Sequence, residues 1–405
     1  MTFKALVAGG GLQGVEALYL ARKAGWRTRL CDRRLAPPAL GLADGFARLD
    51  LGLAALADLQ RLGADCDALV PALEDRPVLE RLAQASAEGR LPPMLFDPAA
   101  YRVSSSKLLS KRLFQKLGLP AAEDWRPEAV APQGRPDASA GPPELAYVAK
   151  PSGLSGSRGV SFFAGSRELL ARFPTPASRR GWVIERRMEG PSYSVEVTAR
   201  RGRAQSWQVT ALEMDEAADC RAVVAPSGLA ADLELELKKM AERLAEALNL
   251  TGLMDLEAIL ENGSFKLLEI DARLPSQTPT AVYWSTGVNL LEELAAVCLG
   301  DEMAAGKGAG KDAATAAGRR SAESRSAAEG RKNPDGQTAS TPKRTRYEHV
   351  LSLDGVVSRH GERLMAGMGP LTLVENFMGA QEALVGGHPG GRFFVATLIN
   401  VQNPA

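Results

Sequence analysis

Five charged side chains recur at every second position of two neighbouring segments: Asp255 and Glu257 in the first, and Glu269, Asp271 and Arg273 in the second. The Asn262-Gly263 dipeptide between the segments favours a tight hairpin turn, which would place both series on one face of two paired strands. Four clustered carboxylates repel one another unless divalent cations intervene, so the pattern predicts oxygen ligands for Mg²⁺ bridging ATP phosphates. Arg273 could then stabilise charge on a transferring phosphoryl group. The alternative is a polar hairpin face in contact with solvent.

Four side chains upstream suit a nucleoside triphosphate. Lys107 lies near the start of a predicted helix and Lys150 on a predicted strand, and two ammonium groups would offset the charge of one phosphate chain. On a later strand, Met188 could pack against an adenine while Glu185 accepts a hydrogen bond from its amino group. Either lysine alone would be interpreted as a solvated surface residue, but the acidic hairpin favours a shared nucleotide site.

Two segments between regular elements carry polar groups that could enter the same site. The segment 151–159 is rich in serine and glycine, which lets a backbone close over phosphates and makes Ser155, Gly156 and Ser157 candidates. A plain connection between two strands is the alternative. Directly after Arg273, the hydroxyl and amide groups of Ser276, Gln277 and Thr278 would point into the site, unless this segment is a simple turn.

The glycine motif at residues 9–14 supports a competing hypothesis. It fits G-x-G-x-x-G after a predicted strand, and Asp32 ends the next strand. Backbone N–H groups at such a turn can meet a phosphate, and Asp32 could bind a ribose, as in an NAD(P)-dependent oxidoreductase. A nucleotide-sensing protein without turnover is a third class of function.

The composition is that of an ordinary soluble protein. The chain has 405 residues, a net charge of +1 and 24% charged residues, so nothing global suggests a nucleic-acid partner. We find neither a signal peptide nor a membrane-spanning apolar run, and the four widely spaced cysteines show no metal or disulfide spacing. The sequence therefore predicts a cytoplasmic protein with no membrane partner, and it leaves the oligomeric state open.

Hydrophobic patterning predicts α/β structure for most of the chain. The predicted strands include residues 4–9, 28–32, 50–52, 67–72, 146–151 and 182–189, with a helix at 233–248 before the acidic hairpin. Five prolines predict a loop at residues 126–143. Residues 304–346 contain no Val, Ile, Leu, Met or aromatic residue, which predicts a disordered insertion.

The order of Lys107, Lys150, the Glu185 strand and the acidic hairpin resembles the ATP-grasp superfamily of carboxylate-amine ligases over residues 1–300. Three stretches look more narrowly like the 3-methylornithine:L-lysine ligase family of pyrrolysine biosynthesis: GGGLQGVEALYLARKAGW, FDPAAYRVS and EIDARLPSQTPTAVYWSTGVNLLEEL. The resemblance implies an α/β, ATP-grasp fold. It also implies a Rossmann-like pre-grasp domain at residues 1–100 and an ATP-grasp domain at 101–300. The disordered low-complexity insertion at 301–346 is predicted from composition and matches no family pattern, and a C-terminal α+β segment at 347–405 would complete the fold.

The same resemblance implies an activity and its substrates. ATP would phosphorylate the carboxylate of 3-methyl-D-ornithine, and the ε-amine of L-lysine would then attack; another amino-acid pair is the nearest alternative. The implied ATP ligands are Lys107, Lys150, Glu185 and Met188, and the implied Mg²⁺ ligands are Glu257, Glu269 and Asp271. Ser194, Glu196 and Asp255 become candidates for the amines of the donor. Leu12, Gln13 and Glu74 would lie at the pre-grasp edge, near the nucleotide and the approaching lysine.

Overall fold

The computed structural model describes residues 2–127, 146–300, 342–388 and 392–402. The loop predicted at residues 126–143 lies almost wholly outside the described residues, as does most of the predicted insertion at 301–346. Within the described ranges, no helix is both long and apolar enough to cross a membrane.

The amino-terminal segment contains a parallel sheet of four strands and three helices. In chain order the elements are β1 (Lys4–Ala8), α1 (Leu12–Lys23), β2 (Arg27–Asp32), β3 (Gly45–Arg48), α2 (Leu56–Gly63), β4 (Ala68–Pro71) and α3 (Arg76–Ala87). The strand order is β3-β2-β1-β4. Strands β1 and β4 and most of helix α1 are buried, as expected for parallel strands covered by helices. The predicted βαβ opening is confirmed.

The strand predicted at residues 50–52 is wrong. The third strand is β3, which ends at Arg48 and pairs with β2. Asp50 instead enters a turn, because its Oδ1 accepts a hydrogen bond from the Gly52 N–H at 2.9 Å. Aspartate commonly bonds its own backbone two residues on, and this local bond replaces strand pairing.

Two helices and a small antiparallel sheet follow. They comprise α4 (Pro98–Ser104), α5 (Lys107–Lys116), β5 (Tyr147–Pro151), β6 (Ser161–Phe163), α6 (Ser166–Arg172) and β7 (Trp182–Arg186), with the strand order β6-β5-β7. Ser106 caps α5, and its Oγ accepts from the Leu109 N–H at 3.4 Å. Because Lys107 is the first residue of α5, this cap fixes where its side chain starts.

A large antiparallel sheet carries the rest of the described chain. Its strands are β8 (Ser192–Arg200), β9 (Arg203–Met214), β10 (Cys220–Ala225), β11 (Gly252–Glu261), β12 (Ser264–Asp271), β13 (Arg344–Leu353), β14 (Val356–His360), β15 (Thr372–Phe377), β16 (Ala380–Gly387) and β17 (Phe393–Gln402). The order is β12-β11-β8-β9-β10-β13-β17-β16-β15, and β14 pairs with β13. The predicted hairpin at Asn262-Gly263 is confirmed, because β11 and β12 pair around it.

Four helices accompany the large sheet: α7 (Ala231–Ala247), α8 (Thr278–Thr286), α9 (Leu290–Leu299) and the short α10 (Arg363–Ala366). On α7, Leu237, Ala241 and Leu244 are fully buried at helical spacing and pack in the cluster that includes Val197 and Met254. This packing stiffens the sheet behind β8 and β11.

The end of the predicted insertion needs correction. Strand β13 begins at Arg344, so residues 344–346 belong to the sheet. Arg346 donates to Glu213 at 2.6 Å and to Glu348 at 2.9 Å, and Thr345 is fully buried. Strand pairing and these ion pairs order a segment whose composition alone suggested disorder. The division into domains stays a proposal: its boundary at residue 100 falls inside α4, and that at residue 300 directly follows α9.

A buried polar cluster joins the first helix to the carboxy-terminal strands. The Tyr19 hydroxyl donates to Glu382 at 2.6 Å and accepts from the Trp284 indole N–H at 2.7 Å. The Lys23 ammonium forms an ion pair with Glu382 and lies 5.1 Å from the centre of the Trp284 ring. Three distant parts of the sequence therefore meet in one satisfied network.

Candidate active site

An acidic face crosses three adjacent strands of the large sheet. It comprises Ser194 and Glu196 on β8, Asp255 and Glu257 on β11, and Glu269 and Asp271 on β12. Asp255 pairs in register with Glu196 on one side and Asp271 on the other, whereas Glu257 pairs with Ser194 and Glu269. The clustering predicted from strand alternation is confirmed, and β8 extends it.

Burial and mutual repulsion disfavour the charged forms of most of these carboxylates. Burial, with the neighbouring Glu269, raises the pKa of Glu257 to about 8. Burial likewise raises the pKa of Asp271 to about 6 and that of Asp255 well above its ordinary value. Glu269 differs: burial alone would raise its pKa, but Lys107 holds it below its ordinary value. The face is short of positive charge, which a cation would supply.

Two basic side chains contact this face. The Lys107 Nζ lies 2.5 Å from Glu269 Oε2. Arg273 Nη2 lies 2.7 Å from Asp271 Oδ2 and donates to Glu74 Oε1 at 2.9 Å. Within the described ranges, no three His, Cys, Asp or Glu side chains converge as a ready-made metal cage.

The predicted metal ligands nevertheless suit Mg²⁺. Mg²⁺ commonly uses one or two carboxylates together with nucleotide phosphates rather than an all-protein cage. Asp271 Oδ1 is buried and has no hydrogen-bond partner among the residues described. With Glu257 and Glu269 it offers hard oxygen donors on one face. Their assignment as metal ligands stays a prediction.

A cleft of about 740 Å³, open to solvent, lies over the acidic face. Twelve of the predicted site residues line it: Ser155, Gly156, Ser157, Ser194, Asp255, Glu257, Glu269, Asp271, Arg273, Ser276, Gln277 and Thr278. Glu196 lies beneath, fully buried, and neither of its carboxylate oxygens has a hydrogen-bond partner of ordinary geometry in the described part of the chain. The Ser194 and Thr278 hydroxyl groups lie near enough to lower its pKa in part. Burial raises the pKa of Glu196 to about 7. An ammonium group is the natural partner for such a carboxylate.

A smaller cavity lies between the small sheet and β12. Lys107, Lys150 and Glu185 line it together with Lys111, which sequence reasoning did not single out. Both oxygens of Glu185 accept hydrogen bonds, one from Lys111 at 2.8 Å and the other from Lys150 at 2.7 Å. The carboxylate is thus engaged by lysines rather than free for an adenine amine, so the predicted base contact would need a rearrangement. Lys111 follows Lys107 by one helical turn, a spacing that could have revealed it.

The serine- and glycine-rich loop contacts three other segments. Ser155 donates to Glu74, Ser157 donates to the Ala218 carbonyl, and the Gly156 carbonyl accepts from Arg363 at 3.2 Å. Glu74 precedes the large sheet, Ala218 lies between β9 and β10, and Arg363 lies on α10 between β14 and β15. The loop therefore covers one side of the cleft.

The segment at residues 276–278 is held by residues that the sequence analysis missed. Gln277 has a φ of 75°, a strained value for a residue with a side chain. Its backbone N–H donates to Glu16 at 3.2 Å, and its side-chain Nε2 donates to Glu362 at 2.7 Å. The His349 Nε2 lies 3.1 Å from its side-chain Oε1. Glu16 also accepts from the Thr280 N–H at 2.6 Å and so caps α8 from another helix. The sequence offered one signal for this contact, because Glu16 is a charged residue among the apolar residues of α1.

The remaining predicted residues line neither the cleft over the acidic face nor the cavity between the small sheet and β12. Gln13 donates to Glu74 at 3.1 Å, which joins the start of α1 to Arg273. Leu12 lines a small cavity beside Gln277 and His349. Met188 is buried beyond the end of β7 and lines none of these three cavities.

Other residues of the chain pack against the glycine motif and accept its hydrogen bonds. Asp32 Oδ2 accepts from the Gly10 N–H at 2.7 Å and from Arg34 at 2.9 Å. A side chain at Gly10 would come within 2.7 Å of Pro37, so Pro37 fills the space against this turn. Asp32 therefore serves the loop and Arg34, which removes the feature that favoured a dinucleotide.

Curated ligases from three Methanosarcina species are similar to the chain. The 3-methyl-D-ornithine–L-lysine ligase of M. acetivorans is 34% identical over 287 residues, covering 71% of each chain. The same-named protein of M. mazei is 33% identical over 286 residues, covering 71% of this chain and 69% of that protein. Residues 105–277 also match the ATP-grasp domain family.

Solved structures share the fold at low sequence identity. The Campylobacter jejuni biotin carboxylase–β,γ-ATP complex has a TM-score of 0.65 at 13% identity, covering 100% of this chain and 88% of that chain. The Staphylococcus aureus N5-carboxyaminoimidazole synthetase complexed with ADP has a TM-score of 0.61 at 14% identity, covering 86% and 83%. The chain therefore has the ATP-grasp fold and belongs to the ATP-grasp family of the 3-methyl-D-ornithine–L-lysine ligases.

Proposed function

We propose that the chain joins the carboxylate of 3-methyl-D-ornithine to the ε-amine of L-lysine, with ATP consumed, as a step of pyrrolysine biosynthesis. The name of the Methanosarcina relatives supports the reaction. The observation that carries the proposal onto this chain is the acidic face between Lys107 and Arg273. The four cysteines are free thiols, which suits a reducing cytoplasm.

The nucleotide would lie against the smaller cavity, with its phosphates near Lys107 and Lys150. Glu257, Glu269 and Asp271 would hold Mg²⁺, which offsets phosphate charge when bound. An oxygen of the donor carboxylate attacks the γ-phosphorus, the bond to the β-phosphate oxygen breaks, and ADP leaves. Arg273 would stabilise charge on the transferring phosphoryl group.

The donor is expected to place its ammonium groups against Ser194, Glu196 and Asp255. Charge-assisted hydrogen bonds would satisfy the unpartnered oxygens of Glu196. Ser276, Gln277 and Thr278 would hold its carboxylate end near Arg273. A substrate with two amines matches this cleft better than a substrate with an acidic side chain.

The acceptor lysine is expected at the edge formed by Leu12, Gln13 and Glu74. Its neutral ε-amine attacks the acyl carbon, the bond to the phosphate oxygen breaks, and inorganic phosphate leaves while the amine loses a proton. Glu74 would attract the cationic acceptor. Its contacts with Gln13 and Arg273 support this role, because they join the pre-grasp edge to the end of the acidic face.

The deciding experiment measures phosphate release and product mass with ATP, Mg²⁺ and L-lysine. The donors compared are 3-methyl-D-ornithine, D-ornithine and D-norvaline, which lacks the side-chain amine. An ornithyl-lysine amide formed one-to-one with phosphate is expected, with D-norvaline inactive. Amide formation only with another amino-acid pair would replace the substrates, and nucleotide binding without turnover would reject the ligase assignment.

A further inference from the structure

Lys111 and Glu185 form the most deeply buried ion pair of the nucleotide cavity. Lys111 is 8% exposed and Glu185 is 4% exposed. Phe114, Val183 and Leu267 contribute to the apolar part of the wall. In such surroundings an unpaired carboxylate is costly, and removing one partner of the pair destabilises the remaining charge strongly.

Glu185 is shared by two ammonium groups with different tasks. Lys111 contacts its Oε2 and also Asp124 at 2.6 Å, whereas Lys150 contacts its Oε1. Burial alone would raise the pKa of Glu185, but Lys150 and Lys111 hold it below its ordinary value. The carboxylate is therefore charged and needs at least one of the two lysines.

A nucleotide that approached Lys150 would compete with Glu185 for its ammonium group. If Lys150 were the only counter-ion, each new phosphate contact would leave a buried carboxylate under-compensated. We propose that Lys111 is the permanent counter-ion of Glu185, so that the ammonium of Lys150 is available to the phosphate chain. Lys111 is thus a positioning residue that acts through Glu185. This inference rests on the proposed nucleotide site.

The test is a double-mutant cycle on nucleotide affinity. Binding of MgADP is measured by calorimetry for wild type, Lys111→Met, Glu185→Gln and the double variant, together with thermal unfolding of each. Lys111→Met should weaken binding by about tenfold or more, since Lys150 then has to serve two anions. In the Glu185→Gln background the same change should cost less than about threefold, because no buried carboxylate remains to be compensated.

Two control variants separate this role from helix stability. Lys116→Met removes an exposed lysine of the same helix and should leave MgADP affinity unchanged. Lys111→Arg keeps the charge and should retain most of the MgADP affinity. This variant still tests the inference if Lys111→Met folds poorly.

Three outcomes would overturn the inference. One is an equal loss of affinity on Lys111→Met in both backgrounds, and another is a lower melting temperature with unchanged MgADP affinity. Either would leave the proposed nucleotide site intact. Failure of wild type to bind MgADP would instead remove the proposed function, and this inference with it.

Discussion

The Glu269 carboxylate lies between a lysine and another carboxylate. It pairs with Lys107 at 2.5 Å and lies in register beside Glu257, whose own charge it disfavours. When a nucleotide binds, Lys107 is expected to turn to the phosphates and Glu269 to the metal. The same side chain would then be neutralised in both states by different cations.

Glu269→Gln is expected to abolish most ligase turnover while leaving the fold intact. The substitution keeps the shape but removes a charge that Mg²⁺ needs, so phosphate release should fall by about a hundredfold or more. Melting temperature and turnover are measured together, with exposed Glu236→Gln on α7 as the matched control. Full turnover in the Glu269 variant would remove Glu269 from the metal site.

Glu196→Gln is expected to impair recognition of the donor rather than of ATP. A charge-assisted hydrogen bond to a buried group contributes roughly 1.5–3 kcal/mol, so the KM for the donor should rise by about tenfold to a hundredfold. Steady-state kinetics with each substrate varied in turn provides the measurement. An equal rise in the KM for ATP would contradict a role specific to the donor.

Helix α8 depends on a cap that comes from another element. It begins after Gln277, whose strained backbone is held by Glu16 on α1, and His349 on β13 supports the Gln277 side chain. Burial lowers the pKa of His349 to about 3, so it is neutral in this role. The wall of the cleft at residues 276–278 is therefore set by α1 and β13 as well as by its own sequence.

Glu16 should make the stability of the protein fall as pH rises. Burial raises its pKa from 4.5 to about 7, so the folded state holds the proton more tightly than the unfolded state. Its contribution is fully present below pH 4.5 and is lost as pH rises through about 7. Glu16→Gln has no such proton. As pH rises across this window, the unfolding free energy of wild type should therefore fall relative to that of Glu16→Gln by on the order of 2 kcal/mol.

Denaturant unfolding at several pH values between 4 and 8 measures this difference. The slope with pH is the readout, because the Glu16→Gln substitution removes one acceptor of a backbone hydrogen bond and lowers stability at every pH. Glu236→Gln should follow the wild-type slope. Parallel slopes for wild type and Glu16→Gln would show that Glu16 does not titrate in the folded protein.

At the scale of the whole molecule, the acidic cleft is lined by residues far apart in the chain. Asp219 and Glu362 line it beside the acidic face, and Arg363 lies 3.8 Å from Asp219. The Tyr19, Trp284 and Glu382 cluster holds the first helix against the carboxy-terminal strands. The carboxy-terminal segment thus contributes to the wall of the cleft.

Replacing residues 304–341 with a short glycine-serine linker should leave turnover largely unchanged. Extending the deletion to residue 346 should lower stability, because it removes the start of β13 and the ion pairs of Arg346 with Glu213 and Glu348. Melting temperature and ligase rate are compared for both deletions. Equal behaviour of the two variants would contradict the boundary at Arg344.

The sequence by itself determined the fold family, the acidic hairpin and most of the residues that line the cleft. These follow from local rules: strand alternation puts Asp255 and Glu257 on one face, and Asn262-Gly263 sets the turn between their strands. Motif order along the chain was sufficient to predict the ATP-grasp fold, which the family match supports.

Only the tertiary structure decided which polar groups pair with one another. Lys111 with Glu185, Glu16 with α8, and Glu362 with Gln277 are contacts across 74, 264 and 85 residues of chain. No local pattern specifies such pairs, because each depends on how separate sheets and helices pack. Asp32 is a second example. Its position at the end of a strand suited a ribose ligand, but in the folded protein its carboxylate accepts hydrogen bonds from Gly10 and Arg34.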